Sequence, residues 1–136
     1  LVLIIVLPLF MQEASAYQLV VNKKNPVQNL TLRQVKDIYL GDKLRWDDNL
    51  SIHVVDYSSN FSLRKIFTEE VLGVTISRVY KTWIRISLAG NSTPPKILKS
   101  EEEMLEFISI DPLAIGYIEK KPESISKNIK IFNIEN

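Results

Sequence analysis

The segment from Val20 to Trp46 constrains the fold more than any other part of the chain, because it places a strand, a turn and a helix in succession. Its apolar start is typical of a strand, and the Asn25-Pro26 pair that follows favours a turn. Thr31 and Gln34 have the spacing of a capping box, in which the two residues satisfy each other's free amides. Gly41 stands where a helix commonly ends in a left-handed residue. The segment therefore predicts the opening unit of an α/β domain.

Beyond this unit, strand-like and helix-like hydrophobic patterns alternate without a linker, a repeat or a low-complexity tract. A loop rich in glycine and proline interrupts them at residues 90–95. The predicted strands are 17–21, 51–57, 114–118 and 128–134, and the predicted helices are 31–40, 63–72, a segment capped by Thr75, and 100–111. This order predicts one α/β domain with three layers, α/β/α, around a mixed sheet.

The segment from Val20 to Trp46 resembles the opening of one lobe of the phosphate ABC transporter periplasmic substrate-binding proteins. In that family a strand leads into N-x-N-P, a Leu-Thr helix start, a Q-[LV]-x-x-I-[FY] helix and a Gly-x-x-x-x-Trp exit. The residues at matching places are Asn22, Asn25, Pro26, Leu30, Thr31, Gln34, Val35, Ile38, Tyr39, Gly41 and Trp46.

Later segments extend the resemblance over residues 19–132. They include a helix end at Phe67 to Gly73, a helix carrying Trp83, the 89–95 loop and the strand tetrad Ala114-Ile115-Gly116-Tyr117. The resemblance implies a periplasmic-binding-protein-like fold. Because 136 residues suffice for one domain only, we expect a single lobe.

Composition excludes several classes of function. The 17 basic and 16 acidic residues give a net charge of +1 and are dispersed, so no basic field for nucleic acid is expected. Without cysteine there is no disulfide, thiolate metal site or lipid-modified cysteine. His53 is the lone histidine, within a strand, and no catalytic triad spacing or metal-ligand cluster accompanies it. We therefore expect no enzyme activity, no cofactor and no metal.

Residues 1–16 form a candidate export signal. An apolar run from Leu1 to Met11 precedes Ala14-Ser15-Ala16, which fits the A-x-A pattern of signal peptidase. We expect cleavage after Ala16, leaving a periplasmic domain at 17–136. The segment has no basic n-region and begins with leucine, so we expect it to be truncated at its start. The alternative is a short membrane anchor, but the run falls below the about 20 residues of a spanning helix.

The resemblance fails at the ligand site, in the loop after the second predicted strand. There the family carries R-x-D-x-S-G-T, ahead of a helix phenylalanine that corresponds to Phe67. At the family's Arg, Asp, Ser, Gly and Thr positions this chain has Tyr57, Ser59, Phe61, Ser62 and Leu63. None of the family's phosphate-contacting residues is retained.

Other donors in the same loop still predict an anion site. Hydroxyl, amide and guanidinium groups at the start of a helix can hold a small oxyanion such as phosphate. The candidate ligand-binding residues are Ser58, Ser59, Asn60, Ser62 and Arg64. The alternative is that Asn60 or Ser62 caps the helix and Arg64 is a solvated surface residue.

We therefore expect an exported solute-binding-like protein that resembles phosphate ABC transporter substrate-binding proteins and takes a small oxyanion. Its expected partner is a membrane transporter or sensor. Because a single lobe cannot enclose a ligand, a homodimer is a further expectation. The alternative function is a ligand-free protein-interaction or signalling module on the same fold.

Overall fold

The computed structural model describes residues 1–8, 17–119, 122 and 124–136. Its strands are β1 (Gln18–Asn22), β2 (Leu30–Thr31), β3 (His53–Tyr57), β4 (Lys96–Leu98), β5 (Ala114–Ile118), β6 (Ile129–Phe132) and β7 (Ile134–Glu135). A five-stranded sheet has the order β4-β3-β5-β1-β6. Strand β3 runs parallel to β4 and β5, whereas β1 is antiparallel to β5 and β6, so the sheet is mixed.

Helices cover both faces of this sheet. They are α1 (Leu32–Tyr39), α2 (Ser62–Ile66), a π-helical segment (Phe67–Leu72) that continues α2, α3 (Ile76–Leu88) and α4 (Glu101–Ile110). Successive side chains of a strand point to opposite faces. Gly116 of β5 accordingly faces Met104 of α4, whereas Tyr117 packs against Tyr39 of α1 and Phe67. The three-layer α/β/α architecture with a mixed sheet is therefore confirmed.

Local capping agrees with the sequence at most helix ends. Thr31 and Gln34 form the complete capping box of α1. Gly41 follows the helix with φ of 75°, and a Cβ there would collide with Ile86 of α3. At α4, Ser100 and Glu103 have the spacing that predicts a second capping box. Ser100 does cap the helix, but the Glu103 carboxylate accepts from the amide of Lys99, so the box is not closed.

The three short strands β2, β4 and β7 and the π-helical segment were not predicted. β4 has only three residues between the Pro94-Pro95 turn and the helix cap at Ser100, which is too short to show a period. The predicted strand 128–134 is divided at Asn133, because Ile134 leaves the main sheet and pairs with Leu30 of β2. The formation of β4 and the division of the last strand both arise from pairing between segments far apart in the chain.

The amino-terminal segment is described only in part. Residues 1–7 are exposed, and the predicted cleavage site at 14–16 lies outside the described residues. The described helices include none with the length and apolarity needed to traverse a bilayer.

Gly116 provides a test of the packing between β5 and α4. The close neighbour is the fully buried Met104 side chain, which a Cβ at position 116 would meet at its sulfur. A glycine inside a strand commonly indicates the close approach of another backbone, but at Gly116 the neighbour is a side chain. We expect Gly116→Ala to lower the free energy of unfolding by about 1–3 kcal/mol through overpacking. Denaturant unfolding measures this change.

The matched test is Met104→Ala in both backgrounds. Removing this side chain should cost less stability in Gly116→Ala than in the wild type, because the added methyl fills part of the vacated space. Strictly additive costs would contradict the contact.

Candidate functional site

The loop of residues 58–62, which carries the predicted anion site, lies at the carboxyl end of β3. The Ser58 amide donates to the Leu98 carbonyl at 2.8 Å, which joins the loop to the end of β4. The Phe61 amide donates to the Ser58 carbonyl at 3.0 Å, and the Ser58 hydroxyl donates to the Asn60 side-chain oxygen. These bonds place Ser58, Ser59 and Asn60 in one turn, and Ser62 begins α2 shortly after it.

Helix α2 begins in this loop without a side-chain cap. Its N-cap is Phe61, so the alternative interpretation, in which Asn60 or Ser62 caps the helix, is wrong. Ser59, Asn60 and Ser62 are exposed, and their backbone amides find no acceptor within the described part of the chain. Unsatisfied amides at a helix start favour an anion. The loop thus offers backbone donors beside its hydroxyl groups.

Arg64 lies beneath this loop and not on its surface. The residue is only 6% exposed, so the alternative of a solvated arginine is wrong. Its Nη1 donates to the Tyr57 carbonyl at 2.6 Å, and its Nε lies 3.2 Å from Oδ2 of Asp56. The Nε–H group is buried and is not aligned for a hydrogen bond with any described acceptor. The guanidinium therefore contacts the last two residues of β3, Asp56 and Tyr57, from within the core.

Asp56 accepts three polar contacts within the core. Its Oδ1 accepts from the Tyr117 hydroxyl at 2.6 Å and from the Tyr57 amide at 2.8 Å, while Oδ2 faces Arg64. The Tyr57 hydroxyl in turn donates to the Tyr117 carbonyl at 2.6 Å. Burial raises the pKa of Asp56 to about 6, although Arg64 and the two hydrogen bonds act in the opposite direction. Desolvation of the carboxylate therefore outweighs its partners.

Aromatic rings close the space around this polar cluster. Phe67 stacks on Tyr117 with 3.7 Å between ring centroids, and Tyr39 meets both rings edge-on. Tyr57 also contacts Phe61 of the loop, at 4.6 Å between centroids. The loop thus packs on the core through Phe61. The polar groups beneath it, Asp56 and Arg64, already interact with each other and are not free to bind a ligand.

Two acidic residues, Glu101 and Glu119, follow β4 and β5 and therefore lie at the same end of the sheet as the loop. Glu101, in the first turn of α4, accepts from the Glu119 amide just after β5. Its charge also contributes, after burial, to raising the pKa of Tyr57, the residue that precedes the loop. An anion held by the loop would therefore experience repulsion from Glu101.

His53 lies at the opposite end of β3, away from the loop. Its Nδ1 is 2.8 Å from Oδ2 of Asp111, the residue that ends α4. Two adjoining open grooves of about 480 and 590 Å³ border this pair, and the 90–95 loop lines their shared edge. Across the described residues, no group of histidine and carboxylate side chains is arranged to hold a metal. The grooves are thus separate from the predicted anion site.

The sequence missed the role of Asp56. Asp56 lies in β3 between Val54, Val55 and Tyr57, which are all buried. An acidic residue in such a strand requires a buried partner, because an unpaired carboxylate is costly in the core. That pattern was the available signal, and Arg64 on the following helix was its nearest basic candidate.

Arg64→Met tests the buried pair through its dependence on pH. The folded-state pKa of Asp56, about 6, lies above its ordinary 3.8, so folding favours the protonated form. This contribution is full below pH 3.8 and is lost as the pH rises through 6. Without Arg64 we expect a loss of about 3–5 kcal/mol at neutral pH, because the carboxylate then lacks its counter-ion. The loss should shrink as acidification protonates Asp56.

The control is Arg64→Met combined with Asp56→Asn. Because no charge remains in the cluster, the difference from wild type should grow rather than shrink on acidification. Chemical denaturation across the acidic to neutral range gives both profiles. A cost of Arg64→Met that is the same at every pH would argue against a buried carboxylate that depends on arginine.

No known protein-family model matches the chain, and no curated protein matches it significantly. Solved structures do match. The chain is similar to an ABC-type phosphate transport receptor from Vibrio cholerae, with 24% identity and a TM-score of 0.65, over 87% of this chain and 45% of that one. It is also similar to PstS from Borrelia burgdorferi, with 16% identity and a TM-score of 0.57, over 75% and 39%.

A third match is a putative phosphate ABC transporter substrate-binding protein with bound phosphate from Clostridium perfringens. It is 28% identical, with a TM-score of 0.60, over 77% of this chain and 41% of that one. The chain thus spans less than half the length of each of these structures. It has the periplasmic-binding-protein-like fold of a single lobe of the phosphate ABC transporter substrate-binding proteins.

Proposed function

We propose that this chain is a solute-binding-like lobe that holds a small oxyanion in the loop of residues 58–62. The observation that carries the proposal is a set of backbone amides without described acceptors, on the exposed residues Ser59, Asn60 and Ser62 at the carboxyl end of β3. They occur in a fold shared with a phosphate-bound structure of 28% identity. Amides and hydroxyl groups bind phosphate and sulfate without needing a metal.

The residues take distinct roles in this proposal. Ser58, Ser59 and Ser62 supply hydroxyl groups, and the Asn60 side chain supplies an amide. Arg64 positions the loop through the Tyr57 carbonyl, since its guanidinium already faces Asp56. The ligand is held from one side only, so affinity is lower than in an enclosed cleft. A facing surface on a transporter, a sensor or a second copy would complete the enclosure.

A ligand-free interaction module is the second candidate. Two observations favour it: the Arg64 cation is engaged by Asp56, and Glu101 adds negative charge at the same end of the sheet as the loop. On this reading the fold is retained and the loop contacts a protein.

Calorimetric titration of the chain with inorganic phosphate separates the two functions. If the loop binds an oxyanion, we expect saturable heat that Ser59→Glu abolishes, because a carboxylate in the loop repels phosphate. Ser77→Glu introduces the same charge at an exposed position on α3 and should leave binding unchanged. The absence of heat at millimolar phosphate would favour the interaction module.

Glu101→Gln provides a positive test of the same site. Removing this charge should strengthen phosphate binding by roughly 3- to 10-fold at low salt, and less at high salt because the repulsion is screened. Glu102→Gln is the matched control in the same helical turn. Equal effects of the two substitutions would place the anion elsewhere.

We also propose that the chain is exported and processed. The leader pattern at residues 1–16 and the transport-receptor fold support this. Expression in a bacterial host with a complete leader should yield a periplasmic product whose first residue is Tyr17. Mass spectrometry of that product would detect retention of the apolar segment, which is the outcome expected of a membrane anchor.

A further inference from the structure

Helix α3 has an outward face that no described element covers. Tyr80, Ile84 and Leu88 are spaced four residues apart and are 67%, 40% and 85% exposed. The inward face buries Val79 and Trp83, and the Trp83 indole donates to the Tyr39 carbonyl of α1 at 2.9 Å. The orientation of α3 is therefore fixed, and the three exposed side chains form an apolar strip along its outer surface.

A basic strip lies beside the apolar one. Lys81 and Arg85 each follow an apolar strip residue by one position, so they run parallel to it on the helix surface. Arg78 borders the same side. All three cations are exposed, and none forms an ion pair within residues the structure describes. Helix α3 contains no acidic residue that would offset them.

The charge pattern argues against a second copy on this face. Two α3 helices packed antiparallel through their apolar strips would place Lys81 and Arg85 of both copies along one seam, and parallel packing would still bring the cations of both copies into one interface. Like charges in such a seam are destabilising. The occupant must instead be anionic.

The shape argues against a folded protein partner. A stable protein interface buries about 800 Å² on each side, around a packed centre. Here the contact is one convex helix with three apolar side chains, and no residue of α3 lines the two grooves near His53. A helix that inserts a few apolar side chains while its cations meet lipid headgroups needs no such area. Tyrosine is also enriched at the membrane interface.

We propose that the outer face of α3, defined by Tyr80, Ile84 and Leu88 with Arg78, Lys81 and Arg85, docks the protein on an anionic membrane surface. The apolar strip enters the headgroup region, and the basic strip contacts lipid phosphates. This orientation holds the chain at the bilayer by a surface that is independent of the loop at residues 58–62.

Vesicles made of equal parts phosphatidylcholine and phosphatidylglycerol test this surface with the full chain. The double substitution Lys81→Gln and Arg85→Gln should weaken partitioning by about 30-fold. Added salt should weaken wild-type binding in the same direction. Lys23→Gln with Lys24→Gln removes equal charge from an exposed turn and should leave partitioning unchanged. Equal partitioning of the α3 variant and the wild type overturns the proposal.

A site-specific reporter separates α3 from the apolar residues 1–7. Tyr80→Trp places an indole in the strip, and the native Trp46 and Trp83 are buried and contribute a constant background. We expect a blue shift and quenching by brominated lipid at position 80. Ile110→Trp, at an exposed position on α4 across the sheet, should show neither. Binding without quenching at position 80 would overturn the proposal and assign the attachment to residues 1–7.

Discussion

The buried pair of Asp56 and Arg64 is the interaction on which the rest of the structure depends. It links β3 to α2, and the Tyr117 hydroxyl extends the link to β5. The pair costs desolvation, as the raised pKa of Asp56 indicates. What it provides is a defined position for the Tyr57 carbonyl, and hence for the start of the loop at residues 58–62. A purely apolar cluster would pack as well but would not orient this carbonyl.

The residues that carry the family resemblance are engaged in structural contacts. The Asn22 side chain donates to the carbonyls of Ile108 and Ser109, which satisfies the end of α4. Asn25 donates to the Pro112 carbonyl and accepts from Val27. Trp46 reaches the same region through the Leu113 carbonyl. These contacts explain why the resemblance identifies the fold and leaves the ligand open.

The sequence predicted those helices and strands whose hydrophobic pattern and capping residues lie within the element itself. The capped helices and the Ala114 to Ile118 strand were predicted from local residues alone, and so was the three-layer class. Prediction failed for strands that form only by pairing with a distant segment. Strand β4 pairs with β3, where Leu98 lies opposite Tyr57, and β7 pairs with β2, where Ile134 lies opposite Leu30. The residues of the candidate site were predicted because they are neighbours in sequence. The burial of Arg64 was not predicted, because its only sequence signal was an acidic residue in a buried strand, which requires a partner without naming it.

Net charge conceals how this surface is organised. The total of +1 combines an acidic edge, with Glu101 and Glu119 at the same end of the sheet as the loop, and the basic outer face of α3. Screening at physiological salt limits such fields to about 8 Å, so each region acts on its own neighbours. A near-neutral chain can therefore repel an anion at one site and attract a charged surface at another. Function in this lobe follows from where each charge lies, and the sum carries little information.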